Sequence, residues 1–383
     1  MIKRILTSEI EAAFKEFKAI CITGPRQSGK TTLAQKSFPK LPYVSLEDPD
    51  NAMDAHTNGR AFLEKYKNGA ILDEVQRVPD LFRYLQTHLD KYKRNGQFVL
   101  SGSNNFLMKQ NISQTLAGRV AYIDLLPLSM SEILSQKKTT TLETCILQGG
   151  YPSIVSGDST AARWMPNYIK TYLDRDVRLL RNIGNIRQFN QFIKLCAARA
   201  GQILNIQGIA TDIGVDHKTI QAWLSVLESS YIVFLLQPYY QNFNKRVIKT
   251  PKIYFYDIGL LCHLLGIKTT KDLKNNQHYG NIFENFIISE LRKNRTNHQQ
   301  NGDMYFFRDS AGNEIDVVLE KDGNIIPIEI KSSAKYDSAY LKNIRWWQKL
   351  NRTDGGMLIY SGIDKQDKDS QIEILNWKSV TDV

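Results

Sequence analysis

The sequence predicts an α/β protein. We expect a parallel sheet with covering helices near the amino terminus, a helical region after it, and a second α/β domain at the carboxyl end. Three observations carry this prediction. A glycine-rich loop at 24–31 joins a short apolar run to a helical stretch, and a second apolar run ends in Asp73 and Glu74. Near the carboxyl end, Asp316 and Glu329-Ile-Lys331 stand on short apolar runs typical of strands.

Composition places the chain among ordinary globular proteins. Of its 383 residues, 42% are hydrophobic and 23% are charged, which excludes a disordered chain and favours about two or three domains. The net charge of +11 favours an acidic partner such as nucleic acid or a nucleotide, although a solvated basic surface gives the same balance. Four scattered cysteines indicate neither a zinc site nor a disulfide framework.

The amino terminus and the apolar runs bear on localisation. The first residues turn polar and acidic too early for a signal peptide, and no apolar run approaches the length of a membrane span. We therefore expect a cytoplasmic protein with no membrane partner.

The glycine-rich loop fits G-x-x-x-x-G-K-[ST], the pattern of a phosphate-binding P-loop. An apolar strand at 19–23 and a helix beginning near 32 give the motif its expected context. Lys30 would reach the β- and γ-phosphates, Thr31 would bind magnesium, and backbone N–H groups would surround the phosphate oxygens. A glycine-rich turn that binds nothing is the alternative. The predicted ATP and Mg²⁺ site consists of Gly24, Pro25, Arg26, Gln27, Ser28, Gly29, Lys30, Thr31 and Thr32.

Two further apolar runs complete this site. The run at 69–72 leads into Asp73 and Glu74, at the strand end where α/β sheets place ligands. Asp73 would hold magnesium, and Glu74 would orient and deprotonate the attacking water. The run at 97–100 leads to Ser103 and Asn104, either of which could sense the γ-phosphate, with a simple polar turn as the alternative. An amphipathic helix at 79–93 lies between them and indicates a parallel sheet with helices on both faces.

These motifs together resemble a prokaryotic branch of the AAA-type ATPases. The resemblance rests on the P-loop, Ile-Leu-Asp73-Glu74-Val-Gln76, Leu100-Ser-Gly-Ser-Asn104 and Leu116-Ala-Gly-Arg119, and extends through Gly149-Gly-Tyr-Pro152 and Thr171-Tyr-Leu-Asp-Arg175-Asp176. It implies ATP binding and hydrolysis, and a carboxyl-terminal domain of unknown function similar to restriction-endonuclease-like folds.

The same resemblance implies an arginine at the γ-phosphate. In AAA-type enzymes an arginine stabilises the charge that develops on the transferred phosphoryl group. Arg119 is the first candidate and Arg175 the second, and a surface arginine is the alternative for each. An arginine supplied by a neighbouring chain would require an assembly, so a homo-oligomer stays open.

The middle of the chain is basic. We expect helices at 159–182 and 186–200, and between 160 and 200 eight basic residues oppose only Asp174 and Asp176. This surface could contact a phosphate backbone, face the ATPase module or be solvated. The basic residues are Arg163, Lys170, Arg175, Arg178, Arg181, Arg187, Lys194 and Arg199.

Residues 203–235 follow helix-turn-helix spacing, with one helix at 206–213 and a second at 217–229. Two apolar strands follow and are joined by a basic segment that contains Asn244, Lys245, Arg246 and Lys249, so the pattern is that of a winged helix. Lys218, Thr219 and Gln221 would face outward and could contact base edges of DNA. A plain protein-contact module is the alternative.

The carboxyl-terminal region predicts a helix around Glu284 and then three strands. Asp316 and Glu329 would lie on neighbouring strands, and Lys331 would share a face with Glu329 because it is two residues away. This order resembles the PD-(D/E)XK nuclease core, and Glu284 matches an acid often found on its first helix. The resemblance implies magnesium held by Glu284, Asp316 and Glu329, with Lys331 helping to activate water. An inactive nuclease fold is the alternative.

The sequence therefore predicts four regions. They are an AAA-type P-loop ATPase domain at 1–135, a helical linker or lid at 136–200, a winged helix at 201–268 and a nuclease-like domain at 269–383. The first functional hypothesis is an ATPase that acts on nucleic acid with a metal-dependent nuclease tail. The second is a nucleotide-dependent switch or interaction protein whose nuclease-like domain is inactive. A small-molecule kinase fits less well, since no acceptor-binding motif is present.

Overall fold

The computed structural model describes residues 2–103, 108, 112, 115–136, 140–172, 185–239, 248–300, 303–366 and 371–383. The chain divides into two units. The first comprises Met1–Pro127, Ser229–Tyr231 and Thr296–Gln299. The second comprises Leu128–Glu228, Ile232–Arg295 and Gln300–Val383.

The first unit contains a parallel sheet of five strands in the order β2-β3-β4-β1-β5. Its strands are β1 Ala19–Thr23, β2 Tyr43–Ser45, β3 Ala70–Asp73, β4 Phe98–Gly102 and β5 Val120–Asp124. Its helices are α1 Thr7–Glu16, α2 Lys30–Ser37, α3 Pro49–Thr57, α4 Gly59–Lys65 and α5 Leu81–Tyr92. The predicted parallel α/β sheet is confirmed, and each residue of β1, β3 and β4 is buried, as in strands covered on both faces.

Alternate residues of the central strands divide the core of this unit between two helical layers. Ile20 and Ile22 of β1 pack in one cluster with Leu33 of α2 and Ile10 of α1. Ala19 and Cys21 of the same strand point to the opposite cluster, which contains side chains of α3, α4 and α5. The period of two along β1 therefore places helices on both faces and leaves the strand ends for the loops that carry polar residues.

The second unit contains a mixed sheet of eight strands in the order β12-β13-β11-β10-β9-β8-β6-β7. Strand β6 pairs with β7 in antiparallel fashion and with β8 in parallel fashion, while β9 is antiparallel to both β8 and β10. Its strands are β6 Val233–Pro238, β7 Lys252–Phe255, β8 Met304–Arg308, β9 Glu314–Lys321, β10 Asn324–Lys331, β11 Gly356–Tyr360, β12 Lys365–Gln366 and β13 Ile372–Asn376. The two strands expected as a wing thus belong to the sheet of the carboxyl-terminal region.

The remaining helices include the two expected from helix-turn-helix spacing. They are α6 Met130–Leu134, α7 Leu142–Gln148, α8 Pro152–Val155, α9 Ala161–Tyr168, α10 Ile186–Ala198, α11 Ile206–Ile213, α12 His217–Ser229, α13 Ile258–Leu264, α14 Thr270–Lys274, α15 Tyr279–Asn297 and α16 Lys342–Asn351. In α12, Ile220, Trp223, Leu224 and Leu227 are buried, as their helical spacing predicts. The domain boundaries inferred from the sequence stay predictions.

Two glycines of the Gly149-Gly-Tyr-Pro152 segment lie against a buried carboxylate. Gly149 has a φ of 67°, and a Cβ atom there would lie 2.4 Å from Oδ1 of Asp257. Asp257 accepts hydrogen bonds from the backbone N–H groups of Gly150, over 2.7 Å, and Leu260, over 2.9 Å. Glycine is therefore required at 149 by both backbone conformation and space.

Candidate functional site

The glycines of the predicted P-loop serve two different geometric needs. Gly24 has a φ of 148°, and a Cβ atom there would lie 2.1 Å from the carbonyl oxygen of Leu125. Gly29 has a φ of 96° and immediately precedes helix α2, which begins at Lys30. The first glycine thus allows the loop to pass close to the backbone after β5, and the second allows a left-handed turn into the helix.

Lys30 points back across this loop. Its ammonium group donates hydrogen bonds to the carbonyl oxygens of Gly24, over 3.1 Å, and Pro25, over 2.9 Å. The side chain is buried, and burial lowers the pKa of Lys30, an effect that the nearby carboxylates of Glu74 and Asp73 oppose. The positive charge therefore lies inside the loop and on the side of the two acids.

The middle of the loop is fixed by a residue that precedes α1. Arg4 is buried and donates to the carbonyl oxygens of Ser28, over 3.0 Å, and Leu126, over 2.6 Å. Gln27 adopts a left-handed φ of 63° at the exposed tip, where Arg26 lies 3.5 Å from a carboxylate oxygen of Glu47. Arg4 therefore holds the loop backbone from the side opposite its exposed tip.

The last two loop positions differ in environment. Thr31 is half-buried and contacts Asp73, whereas Thr32 is exposed on α2. Ser28 is buried, and its hydroxyl oxygen has no hydrogen-bond partner among the described residues. The structure thus brings Thr31, but not the Thr32 side chain, to the acid at the end of β3.

Asp73 accepts hydrogen bonds from three side chains. The hydroxyl groups of Thr31 and Tyr43 each donate to Oδ2 over 2.8 Å, and the hydroxyl group of Ser101 donates to Oδ1 over 2.5 Å. Burial, and next the hydrogen bond to Asp73, raise the pKa of Tyr43 to about 12. Because Thr31 uses its proton on Asp73, its oxygen lone pairs stay available to a cation.

These groups fit a Mg²⁺ ion associated with a nucleotide. Mg²⁺ prefers oxygen ligands, is commonly held by one or two carboxylates together with substrate phosphates, and usually keeps several waters. Thr31 and Asp73 supply a hydroxyl and a carboxylate at the carboxyl edge of a parallel sheet, next to the buried ammonium of Lys30. The pair therefore has the chemistry that the predicted metal role requires, and that role stays a prediction.

Glu74 follows Asp73 in a left-handed conformation, with a φ of 54°. Its Oε2 atom accepts a hydrogen bond from the side-chain amide of Gln76 and, over 3.2 Å, one from the hydroxyl group of Ser103. Ser103 is thereby placed beside the proposed general base. Asn104, the other candidate for a γ-phosphate contact, lies outside the described residues.

Arg119 lies at the other edge of this sheet. It immediately precedes β5, and its carbonyl oxygen accepts a hydrogen bond from Ala19, the first residue of β1. Its guanidinium group makes two 2.8 Å hydrogen bonds to Asp90, which also pairs with Lys18. The P-loop follows the opposite end of β1, so the expectation that Arg119 serves the γ-phosphate of its own chain does not fit. Arg175 lies outside the described residues.

Asp316, Glu329 and Lys331 come together in the second unit, as their strand positions predict. Lys331 Nζ lies 3.5 Å from Oδ2 of Asp316 and 2.7 Å from Oε2 of Glu329. Asp316 Oδ2 also accepts the backbone N–H of Ile330 over 2.8 Å, and Glu329 Oε1 accepts the side-chain amide of Asn343 over 3.3 Å. The antiparallel pairing of β9 and β10 thus places both acids beside one lysine.

Glu284 belongs to the same centre but contacts a different lysine. Lys252 Nζ lies 3.2 Å from Oε1 of Glu284 and 2.5 Å from Oε1 of Glu314. The hydroxyl group of Tyr254 also donates to Oε1 of Glu284 over 2.6 Å. No motif in the sequence pointed to Lys252, Glu314 or Tyr254. Lys252 and Tyr254 contact Glu284 directly, and Glu314 contacts Lys252.

Burial shifts the pKa values of this centre. It raises the pKa of Glu284, while Lys252 lowers it and Asp316 adds to the rise. It also raises the pKa of Glu329 to about 8, with a further contribution from the charge of Asp316. Glu284 and Glu329 thus resist ionisation in spite of the lysine beside each of them.

The expected nuclease-type metal site does not fit this arrangement. Within the described ranges, no group of three or more histidine, cysteine, aspartate or glutamate side chains is placed to hold a metal ion. A lysine ammonium group lies within 3.5 Å of Asp316 and Glu329, and a second one lies 3.2 Å from Glu284, so positive charge already occupies the space beside these acids. The prediction that Glu284, Asp316 and Glu329 bind magnesium together is therefore not supported by their geometry.

The outward face of α12 differs in one position from the sequence-based expectation. Lys218 and Gln221 are exposed, as predicted. Thr219 is half-buried, and its hydroxyl group donates to Oδ2 of Asp216 over 2.5 Å, so it serves the start of the helix. Of the segment between β6 and β7, Lys249 is described and exposed, whereas Asn244, Lys245 and Arg246 lie outside the described residues.

Three family models match successive parts of the chain. Residues 16–134 match the model described as an AAA domain. This part of the chain is similar to AAA domains. Residues 139–271 and 279–380 match two models described as domains of unknown function, DUF8612 and DUF4143.

Relatives extend across most of the chain. An uncharacterized protein of Mycobacterium tuberculosis is 29% identical over 339 residues, which span 87% of this chain and 74% of the relative. An uncharacterized protein of Methanocaldococcus jannaschii is 24% identical over 324 residues, which span 76% and 70% of the two chains. The Walker-type ATPase of Pyrococcus abyssi superposes with a TM-score of 0.46 at 11% identity, covering 68% of this chain and 94% of that chain.

None of the helices in the described part of the chain combines the length and the hydropathy of a membrane-spanning segment.

Some contacts of the AAA-like region could be expected from the sequence, and others could not. Gln76 and Ser101 lie within the two segments that carry the family resemblance, so their proximity to the acids could have been proposed. Tyr43 and Arg4 lie in segments without a motif, and only the fold brings them to Asp73 and the P-loop.

Proposed function

We propose that this chain binds ATP with Mg²⁺, hydrolyses it, and uses the nucleotide state as a switch for its carboxyl-terminal region. The observation that carries the proposal is the convergence of Lys30, Thr31, Asp73 and Glu74 at the carboxyl edge of one parallel sheet. Each residue type matches one requirement of phosphoanhydride hydrolysis, and their order along the chain is the one found in P-loop ATPases.

The residues divide the chemistry among them. The buried ammonium of Lys30 would exchange its contacts with the loop carbonyls for contacts with phosphate oxygens. When bound, Mg²⁺ neutralises charge on the phosphate groups, and Thr31 and Asp73 would hold it. Glu74 would accept a proton from water through Oε1, because Gln76 and Ser103 engage Oε2. Ser103 therefore serves as a positioning residue for the base.

Nucleotide binding is tested at Lys30. Lys30→Ala removes the charge inside the loop, whereas Lys36→Ala makes the same change at an exposed position of helix α2. We expect K30A to weaken binding of a fluorescent ATP analogue at least tenfold, roughly the loss of one charge-assisted contact. K36A should bind as the wild type does. Unchanged binding and turnover in K30A would show that the P-loop assignment is wrong.

Hydrolysis is tested separately at Glu74. Glu74→Gln keeps the size of the side chain and an acceptor oxygen but removes the basic carboxylate. We expect kcat to fall by roughly 10²–10⁴-fold while nucleotide binding persists. The exposed Glu9 of α1 provides the control substitution Glu9→Gln. A kcat that stays within twofold of the wild type would exclude Glu74 as the base.

The switch proposal also distinguishes this chain from a nuclease. Each acid of the predicted nuclease site lies against a lysine ammonium group, which favours the inactive alternative. We expect supercoiled plasmid to stay intact with Mg²⁺ or Mn²⁺, both with and without ATP. Metal-dependent nicking that disappears in Asp316→Ala would establish the nuclease function instead.

DNA contact by the helix-turn-helix pair stays a second proposal, supported by the exposure of Lys218 and Gln221 on α12. Removal of a lysine that contacts phosphate lowers the affinity by a similar factor for all DNA sequences. It also reduces the slope of log affinity against log salt concentration by about one. Fluorescence anisotropy with duplex DNA at several salt concentrations measures both effects in Lys218→Ala. Equal affinity and salt slope in K218A and the control K36A would rule out this contact.

A further inference from the structure

Lys252 is a buried lysine that no motif of the sequence includes. It opens strand β7 and lies in the segment matched by the first domain of unknown function, before the segment matched by the second. Its side chain is 3% exposed, and its ammonium group lies between Glu284 of α15 and Glu314 of β9. It also lies 5.5 Å from the centre of the Phe306 ring. A lysine buried to this degree needs compensating charge, and the two glutamates supply it.

Acidic and basic side chains alternate across the whole centre. Lys252 bridges Glu314 and Glu284, and Lys331 bridges Asp316 and Glu329. Four acidic side chains are thereby shared between two ammonium groups. The chain thus supplies one cation of its own for each pair of acids.

A divalent metal ion at this position would face two obstacles. Mg²⁺ takes about six oxygen ligands at roughly 2.0–2.1 Å, and the Oε1 atoms of Glu284 and Glu314 that could supply two of them already lie against the Lys252 ammonium group. It would also lie next to two ammonium groups in a site with little solvent, where repulsion between like charges is strong. Removal of the Lys252 ammonium group would relieve the repulsion at this position and free the Oε1 atoms of Glu284 and Glu314 that it contacts.

We propose that Lys252 is the resident cation of this centre and that its ammonium group occupies the space between Glu284 and Glu314 that a divalent metal ion would otherwise take. The centre is then shared by the two domains of unknown function, because β7 provides the cation while α15 and β9 provide the carboxylates. Lys252 holds the strand β7 against the carboxyl-terminal sheet without an external ligand.

The experiment measures Mn²⁺ binding to the full-length chain without nucleotide. All proteins carry Asp73→Asn, so that the P-loop site does not contribute. Free Mn²⁺ is measured by electron paramagnetic resonance, and the unfolding temperature is recorded with and without about 1 mM Mn²⁺, since a ligand specific for the folded state raises that temperature. Lys252→Met removes the ammonium group, and Lys342→Met makes the same change at an exposed position of α16.

We expect no saturable Mn²⁺ binding in D73N or in D73N/K342M, and one bound Mn²⁺ with at least tenfold higher affinity in D73N/K252M. In that variant Mn²⁺ should also raise the unfolding temperature, and Glu314→Gln should abolish both effects because Glu314 lines the vacated space. Lys252→Gln, which can still hydrogen-bond to both glutamates, replaces K252M if the latter does not fold.

Two results would overturn the proposal. One is saturable Mn²⁺ binding by D73N that D73N/E314Q lacks, because the space between Glu284 and Glu314 would then accept a metal ion with Lys252 in place. The other is a folded D73N/K252M or D73N/K252Q that binds no Mn²⁺, because Lys252 would then not be what excludes the metal.

Discussion

The hydroxyl group of Thr31 donates a hydrogen bond to Oδ2 of Asp73 over 2.8 Å and so joins the P-loop helix to the end of strand β3. The contact fixes the direction of the Thr31 proton and leaves the oxygen lone pairs for Mg²⁺. It also joins two segments that are far apart in the sequence, and the proposed metal site therefore depends on the packing of α2 against the sheet.

Thr31→Ala should lower the affinity for Mg²⁺ in the presence of nucleotide. A hydrogen bond to a charged group contributes about 1.5–3 kcal/mol, so we expect roughly a ten- to hundredfold higher Mg²⁺ concentration at half-saturation. Titration of Mg²⁺ at fixed nucleotide concentration measures this change. Thr32→Ala, at the exposed neighbouring position, should leave the titration unchanged. A T31A curve that overlays the wild-type curve would contradict the assigned role.

Arg119→Ala should reduce stability and leave turnover unchanged in dilute solution. The guanidinium group is joined to Asp90 by two 2.8 Å hydrogen bonds at the edge of the sheet opposite the P-loop. Because the pair is partly exposed, we expect a loss of about 1 kcal/mol in the free energy of unfolding. Urea unfolding and ATP turnover per chain are the two measurements. If turnover fell at unchanged stability, Arg119 would act at the phosphate of a neighbouring chain in an assembly, and our assignment would be wrong.

The P-loop could be predicted because its requirements are local. Gly24, Gly29 and Lys30 lie within seven positions of one another. The motif itself specifies the backbone conformation of the two glycines and the charge of the lysine. Asp73 and Glu74 could be predicted because an apolar strand ending in acids indicates the edge of a sheet. The role of Arg119 could not, because it depends on which end of β5 lies beside the P-loop, and that follows from the parallel pairing of β5 with β1.

At the carboxyl-terminal centre, too, some contacts follow from the sequence and others follow only from the fold. Glu329 and Lys331 share a face because they are two residues apart on one strand, so their proximity follows from the sequence. Lys252 reaches Glu284 and Glu314 only because β6 pairs with β8 and places the hairpin beside the carboxyl-terminal strands. No local pattern contains that pairing, and the predicted wing assigned these strands to a separate domain.

The stability of the chain should fall with rising pH through the titration of Glu329. Burial, and next the charge of Asp316, raise the pKa of Glu329 to about 8, above the value of 4.5 of an ordinary glutamate. The folded protein therefore retains a proton that the unfolded chain releases. The resulting stabilisation is fully present below about pH 4.5 and is lost as the pH rises through about 8.

Glu329→Gln removes this titration. We expect the unfolding temperature of the wild type to fall more steeply than that of E329Q between about pH 5 and pH 8. Glu373→Gln, at an exposed position of β13, should keep the pH dependence of the wild type. Parallel curves for the wild type and E329Q would show that Glu329 does not titrate in this range.

Gly149→Ala should destabilise the second unit more than an equivalent change at Gly157. Both glycines have positive φ, 67° at Gly149 and 88° at Gly157, so alanine costs about 1–2 kcal/mol in conformational strain at Gly157. At Gly149 the ψ of −162° places the backbone in a region essentially restricted to glycine, where the strain is roughly 1–3 kcal/mol. At Gly157 a Cβ atom meets nothing within 4 Å, whereas at Gly149 it would lie 2.4 Å from Oδ1 of Asp257. Displacement of Asp257 would break its hydrogen bonds to the backbone N–H groups of Gly150 and Leu260 in a buried site.

A buried donor left without a partner costs about 1–3 kcal/mol, so G149A should lose roughly 3 kcal/mol or more in total, against about 1–2 kcal/mol for G157A. Urea unfolding followed by circular dichroism gives both values. The double variant G149A/D257N tests the cause. An asparagine side chain at position 257 keeps an acceptor but removes the buried charge, so the loss should be less than the sum of the two single losses. Equal losses for G149A and G157A would show that backbone strain alone, and not Asp257, requires glycine at 149.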